Sequence, residues 1–238
     1  MKSVITDRLL HRVSRDGSSP LITYYDLRSG ERTELSAVTF ANWVAKTANL
    51  LDELGVAPRD VVRLDLARDA PGHWITYVWA AACWEVGAVV ALRPFARGAA
   101  LVVVGPDWSG YETSIATDIV ACALRPLGQP FWEPLPVGVL DYAVEVRRQA
   151  DRYSGGSTSP SALAWLDDDR QLTASELAEI GASDSVQRRL VRPTAPWPAI
   201  VDGLLTPLNS GGSTVVVVGD DNDAISRITT SERVAQPR

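Results

Sequence analysis

Apolar positions along this chain switch repeatedly between short, mostly continuous runs and stretches with a period near 3.6. Leu21-Ile22-Thr23-Tyr24-Tyr25 and Arg32-Thr33-Glu34-Leu35 flank the turn chemistry of Arg28-Ser29-Gly30-Glu31 and predict a hairpin over residues 21–35. Ser36 then offers an N-cap, and Phe40, Trp43, Val44, Thr47, Leu50, Leu51 and Leu54 recur at helical spacing until Gly55 supplies a C-terminal stop. Pro58-Arg59-Asp60 turns into a strand over 61–66, and residues 73–86, apolar nearly all round, predict a helix buried on most sides. Strands follow at 89–92, 100–104 and 119–124, with a helix predicted over 111–117.

Residues 126–138, rich in Pro and Gly, predict a surface loop, and 141–153 a helix. The Ser/Gly/Pro tract 154–161 reads as a linker, after which the pattern restarts. A strand at 162–166, helices at 173–180 and 199–208, a strand at 214–218 and a helix at 223–232 are expected. The apolar helix, Gly turn and valine strand of 74–90 recur faintly at 197–216. Strands alternating with helices, most of them continuous apolar runs, indicate an α/β fold. The expected architecture is doubly wound: a mostly parallel sheet with helices on both faces. It forms a single domain over 1–238, with a first βα module at 1–153, the linker at 154–161 and a shorter module at 162–238.

Composition narrows the function. Hydrophobic residues make up 46% of the 238 and charged residues 22%, which is ample for a sizeable core. The net charge of -6 gives little gain from counterion release, so nucleic acid is not an expected partner. Arg147 and Arg148, and Arg188 and Arg189, read as solvated helix faces rather than a basic patch. Of the 23 basic residues only Lys2 and Lys46 are lysines, which matters for phosphate chemistry below. Cys83 and Cys122 lie in apolar runs, and with only His11 and His73 beside them no disulfide framework or metal site is expected. The first twenty residues lack the apolar region of a signal peptide, so the expected location is cytoplasmic. The apolar run 74–92 is interrupted by Glu85 and Gly87, so it splits into helix, turn and strand rather than a membrane span.

Two tracts invite chemistry. Ser154-Gly155-Gly156-Ser157-Thr158 has the small residues of a phosphate loop, but it follows a charged helix, precedes a strand and lacks a lysine. Linker is the better reading. Asp167-Asp168-Asp169 offers hard oxygen ligands, yet three consecutive side chains on a turn rarely converge on one ion, so a solvated turn is expected. Ser210-Gly211-Gly212-Ser213 is a helix-to-strand turn, and Asp220-Asp221-Asn222-Asp223 an acidic helix start. No local motif for a nucleophile, zinc or dinucleotide is present.

A family resemblance rests on scaffold words. Pro20-Leu21-Ile22-Thr23-Tyr24-Tyr25-Asp26, the helix 40–51, Leu54-Gly55-Val56-Ala57-Pro58-Arg59-Asp60-Val61-Val62 and Glu85-Val86-Gly87-Ala88-Val89-Val90 resemble the opening of AMP-dependent synthetases and ligases, the acyl-CoA synthetase superfamily. Residues 199–218 resemble a later segment of that family. Over nearly its full length the chain is similar to a short actinobacterial-type family related to the N-terminal part of those enzymes. The resemblance implies an acyl-adenylating N-terminal fold. It also implies a phosphate loop of the form T-S-G-S-T-G-x-P-K-G after the strand 162–166, where this chain reads Asp167-Asp168-Asp169-Arg170-Gln171. The family's later nucleotide motifs and its catalytic lysine have no counterpart in these residues, so no catalytic residue, cofactor or metal ligand is assigned. The expected function is that of a non-catalytic relative of AMP-forming adenylating enzymes, binding a protein partner, a second copy or a small molecule. The alternative is a partial acyl-CoA synthetase-like enzyme that needs a partner chain.

Overall fold

Valine-rich strands and an unusually apolar helix set the layers of this molecule. A computed structural model describes residues 4–93, 98–111, 118–155, 158–183 and 185–235. In chain order, α1 (Val4–Asp16) precedes the hairpin β1 (Pro20–Asp26) and β2 (Glu31–Ser36), then α2 (Ala37–Glu53). Next come β3 (Val61–Leu64), α3 (Leu66–Asp69), α4 (Trp74–Val86), β4 (Val89–Ala91), β5 (Leu101–Val104) and β6 (Asp118–Ala121). They are followed by β7 (Val139–Asp141), α5 (Tyr142–Arg147), β8 (Leu163–Leu166), β9 (Gln171–Thr173) and α6 (Ala174–Glu179). β10 (Arg188–Val191), α7 (Pro196–Ile200), α8 (Thr206–Ser210), β11 (Ser213–Val218) and α9 (Asn222–Ser231) complete the chain. A π-helical turn, Val201–Leu205, joins α7 to α8 into one bent helix.

The strands form two sheets. One has the order β10-β11-β1-β2, parallel except for the β1–β2 hairpin. The other has the order β7-β6-β5-β3-β4-β8-β9, parallel except for β9. This is the mixed α/β, mostly parallel fold that the pattern predicts. Alternation along each strand separates two faces. Ile22, Tyr24 and Val216 face one core with Val62, Leu64, Val90 and Val103 of the larger sheet, and α1, α2 and α4 fill the space between. Val215 and Val217 face the other way, onto Ile225 and Ile228 of α9. Val102, Val104, Ile119 and Val139, on the far face of the larger sheet, pack under Trp108, Tyr111, Phe131 and Leu135.

α4 runs through this middle layer, and all but one of its thirteen residues are buried. Gly87 ends it with φ +83°, a left-handed value that a side chain would resist. The chain turns there directly into β4, and no helix among the described residues is long and apolar enough to cross a membrane. Gly203, in the π-turn, serves close approach instead, because a Cβ there would stand 2.3 Å from the Tyr77 hydroxyl. At α2, Ser36 caps as its position predicts, its Oγ accepting the Thr39 N–H at 3.1 Å. Ser36→Ala is expected to cost about 1 kcal/mol, read as a lower midpoint in urea denaturation with unchanged slope.

Four expectations need correction. The first is an omission, because α1 lies where only the absence of a leader was read; Ile5 and Leu9, one turn apart, bury onto the core. The second concerns Arg188 and Arg189, which belong to the parallel strand β10 rather than a solvated helix face. The third is the helix expected over 141–153, which ends at Arg147. Lys46 takes the Gln149 carbonyl at 2.6 Å and Asn49 takes those of Ala150 and Arg152 at 3.0 Å, so side chains of α2 capture oxygens that a longer helix would need. The fourth is the acidic turn after β8, treated below. The helix predicted over 111–117 lies outside the described residues from 112 onward.

Candidate functional site at the carboxyl edge of the larger sheet

β3, β4, β5, β6 and β8 run parallel, so their carboxyl ends share one edge. The chain leaves β3 towards β4 on one side, and leaves β5 towards β6 on the other. Ligands in open α/β sheets usually bind at such a switch point. The residue that follows β3 there is Asp65, whose side chain is only 3% exposed. Its Oδ2 pairs with Arg93 Nε at 2.8 Å and Arg63 Nε at 3.1 Å. Both guanidinium groups lie over the Tyr111 ring, 4.7 Å and 5.7 Å from its centroid. Burial first, then the nearby Asp65 carboxylate, pushes the Tyr111 hydroxyl up to about 12. Burial and Asp65 also raise Asp69 above the ordinary carboxylate range.

The acidic turn lies farther along the same edge, between β8 and β9. Asp167 is 9% exposed, not solvated as its tripeptide suggests. Its Oδ2 accepts the Trp165 indole N–H at 2.9 Å, its Oδ1 accepts the Asp169 backbone N–H at 2.9 Å, and Arg170 Nη1 approaches at 3.2 Å. Burial alone would raise its pKa, but these donors outweigh it and hold the carboxylate below its ordinary value. The Asp167 backbone N–H donates to the Arg170 carbonyl at 3.0 Å, closing the hairpin. Arg170 in turn lies over Trp197, 5.4 Å from the ring centroid, and Trp197 packs against Trp165. Asp168 and Asp169 do point to solvent, Asp168 reaching Arg68 at 3.8 Å. The three carboxylates therefore do not converge. The turn is satisfied by its own atoms.

Cys83, Cys122 and His73 lie buried within the fold. Cys83 and Cys122 are free and fully buried, and burial raises both thiols far above their usual range. His73 caps α4, its Nδ1 accepting the Ile75 N–H at 3.2 Å, and burial pushes its pKa down to about 3, so the ring is neutral. Among the described residues, no group of three or more His, Cys, Asp or Glu could hold a metal ion. Thr158, the described end of the Ser-Gly-Gly tract, lies against Gly87 at the end of α4. Gly156 and Ser157 lie outside the described residues. The Asp65 cluster escaped sequence reading, since Arg93 and Tyr111 are far from it along the chain. The i, i+2 spacing of Arg63 and Asp65 at the end of an apolar strand was the available signal.

Similarity to known proteins places the chain. No family profile matches it. A Mycobacterium tuberculosis protein described as a TIGR03089 family protein is 35% identical over 229 residues, spanning 93% of this chain and 92% of that protein. The chain belongs to the TIGR03089 family. Solved structures extend the likeness for this family member in shape alone. A Brucella canis acyl-CoA synthetase superposes with a TM-score of 0.74 at 15% identity, over 99% of this chain and 46% of that one. The N-terminal domain of FACL13 from Mycobacterium tuberculosis gives 0.71 at 13% identity, over 99% and 62%. A fatty acyl CoA synthetase of the same organism gives 0.70 at 14%, over 97% and 48%. This TIGR03089 family member thus has the fold of acyl-CoA synthetase N-terminal domains, and spans between about half and three-fifths of the solved chains it matches.

Proposed function

We propose that this protein is a non-catalytic relative of the AMP-forming adenylating enzymes, acting by binding rather than by activating a carboxylic acid. The reading is carried by the turn after β8, where sequence resemblance aligns the family's phosphate loop. A phosphate loop works because small residues leave backbone N–H groups free to donate to an anion, with a lysine beside them. In this turn the Asp169 N–H is spent on Asp167 and the Asp167 N–H on the Arg170 carbonyl. The residues beside them are carboxylates, and no lysine is near in sequence. A phosphate oxygen at about 4 Å from one carboxylate meets roughly 1 kcal/mol of repulsion in water, and roughly 4 kcal/mol at an effective dielectric of 20. The solvent-facing carboxylates of Asp168 and Asp169 add such repulsion to a turn whose amide donors are already spent, which makes triphosphate binding unfavourable before any chemistry begins.

ATP–pyrophosphate exchange tests this. Purified protein with Mg²⁺, offered a panel of short, long and amino carboxylic acids, is expected to show exchange no faster than a protein-free control. Exchange stimulated by any acid of the panel would contradict the proposal.

A further inference from the structure

His73 is 4% exposed at the start of α4, with the Tyr24 ring centroid 4.8 Å from its own and that of Trp74 at 5.7 Å. Its Nδ1 accepts the Ile75 N–H and caps the helix, so the one proton of the neutral ring is on Nε2. Nε2 is buried without a hydrogen-bond partner among the described residues. A second proton can go only to Nδ1, where it would meet the Ile75 N–H donor to donor. The cap would be lost, and a cation would stand at the positive end of a helix of 13 residues. Burial, the occupied Nδ1 and the helix dipole all oppose a charged ring in this geometry.

The groups packed around His73 offset this little. Asp26 of β1 favours the charged ring, but burial outweighs it, and Asp26 is itself paired with Arg28 at 3.2 Å. Glu31 of β2 accepts the Thr33 hydroxyl at 2.7 Å and interacts with Trp74. Burial holds the Tyr24 and Tyr77 hydroxyls protonated. Pro193, after β10, and Val216 of β11 bring no charge, and close on Gly72 so tightly that a Cβ there would stand 2.2 Å from Pro193 Cγ. The same turn fixes the chain ahead of the helix, since the Ala70 carbonyl accepts the His73 N–H at 3.1 Å and the Thr76 hydroxyl at 2.8 Å. Residues 70–73 continue from α3, which carries Asp69 and follows Asp65 at the carboxyl edge.

We propose that His73 is an acid-sensitive latch, whose protonation uncaps α4 and releases residues 70–75 from β1. The closed ring stays neutral down to about 3, whereas an opened one takes up a proton below its ordinary 6.5. The closed state is therefore fully favoured above about pH 6.5 and loses ground as pH falls towards about 3. Amide hydrogen exchange, corrected for its intrinsic pH dependence, measures the opening. Between about pH 7.5 and pH 5 the opening constant at Ile75 is expected to rise about thirtyfold, while amides of α9 hold theirs. His73→Asn keeps a side-chain acceptor for the Ile75 N–H but does not titrate, and should show no such rise. Imidazole carbon shifts of the parent need no variant: His73 should stay neutral across this range, with the exposed His11 as a reference in the same molecule. A His73 resonance that titrates near about pH 6.5 with Ile75 still protected would overturn the proposal, since the charged ring would then fit the cap. So would an opening constant at Ile75 independent of pH, or a rise shared by His73→Asn or by α9.

Discussion

Trp79→Ala is expected to lower unfolding free energy by about 3–5 kcal/mol, a large part of the roughly 5–15 kcal/mol typical of folded proteins. Trp79 is fully buried in α4, where its ring meets Tyr142 at 5.1 Å and 45°. α4 is enclosed by α2 and by both sheets, so the vacated space has no route by which solvent or a loop can fill it cheaply. Trp132 supplies the control, because it is 85% exposed and covers mainly Arg125. Trp132→Ala should change stability by no more than about 0.5 kcal/mol. Urea denaturation of both variants measures the contrast. A Trp79→Ala loss as small as that of Trp132→Ala would mean that α4 is not sealed between the layers.

The second large effect is expected at Glu232, the residue after α9. Its carboxylate accepts from the Tyr25 hydroxyl and Arg188 Nη2, each at 2.5 Å, and from Arg32 Nη2 at 3.1 Å. Arg188 also donates to Thr23 Oγ1 at 2.9 Å, so this one cluster ties α9 to β1, β2 and β10. Burial alone would raise the Glu232 pKa, but the three donors outweigh it and bring it down to about 2 from an ordinary 4.5. A folded value below the unfolded one stabilises the protein above about pH 4.5, and that stabilisation disappears as pH falls through about 2. Taken at face value the depression corresponds to on the order of 3 kcal/mol, and to about 2 kcal/mol after allowance for solvent screening. Glu232→Gln should therefore lose about 2 kcal/mol at neutral pH, with its stability converging on the parent's as pH falls from 5 towards 2. Asp26 and Asp167 are held low and act in the same direction, whereas Glu31, Asp69 and Asp202 are held high and act in the opposite one. The single substitution isolates the Glu232 share. A gap between variant and parent that stays constant across this range would contradict the assignment.

Features encoded by near neighbours were legible in the chain. Ser36 as a cap, Gly87 as a stop, and the split of the 74–92 run each follow from backbone chemistry within a few residues. The valine strands were legible too, since strands buried on both faces need no alternation to be recognised. Features that depend on distant partners were not. β10 reads Arg-Arg-Leu-Val, and nothing local says that Arg188 will find Thr23 at one end of the chain and Glu232 at the other. α1 carries its apolar stripe on few residues among many charges, so the helix becomes recognisable only with the surface that Ile5 and Leu9 cover.

The acidic turn shows the same limit within three residues. The sequence places three carboxylates after β8, and their consecutive positions argue that the side chains diverge. It could not show that Asp167 turns inward to Trp165 and Arg170 while Asp168 and Asp169 turn out. That inward turn changes the reading. An acidic surface loop would only discourage phosphate by charge, whereas the buried Asp167 carboxylate also occupies the Asp169 amide donor that a phosphate would need.

Calorimetric titration of ATP with Mg²⁺ into the purified protein tests that consequence most directly. The account predicts no saturable heat up to about 1 mM nucleotide, with backbone amides of residues 166–171 unmoved in a parallel spectrum. Saturable binding that shifts those amides would contradict it, because the donors assigned to Asp167 would then be serving a phosphate.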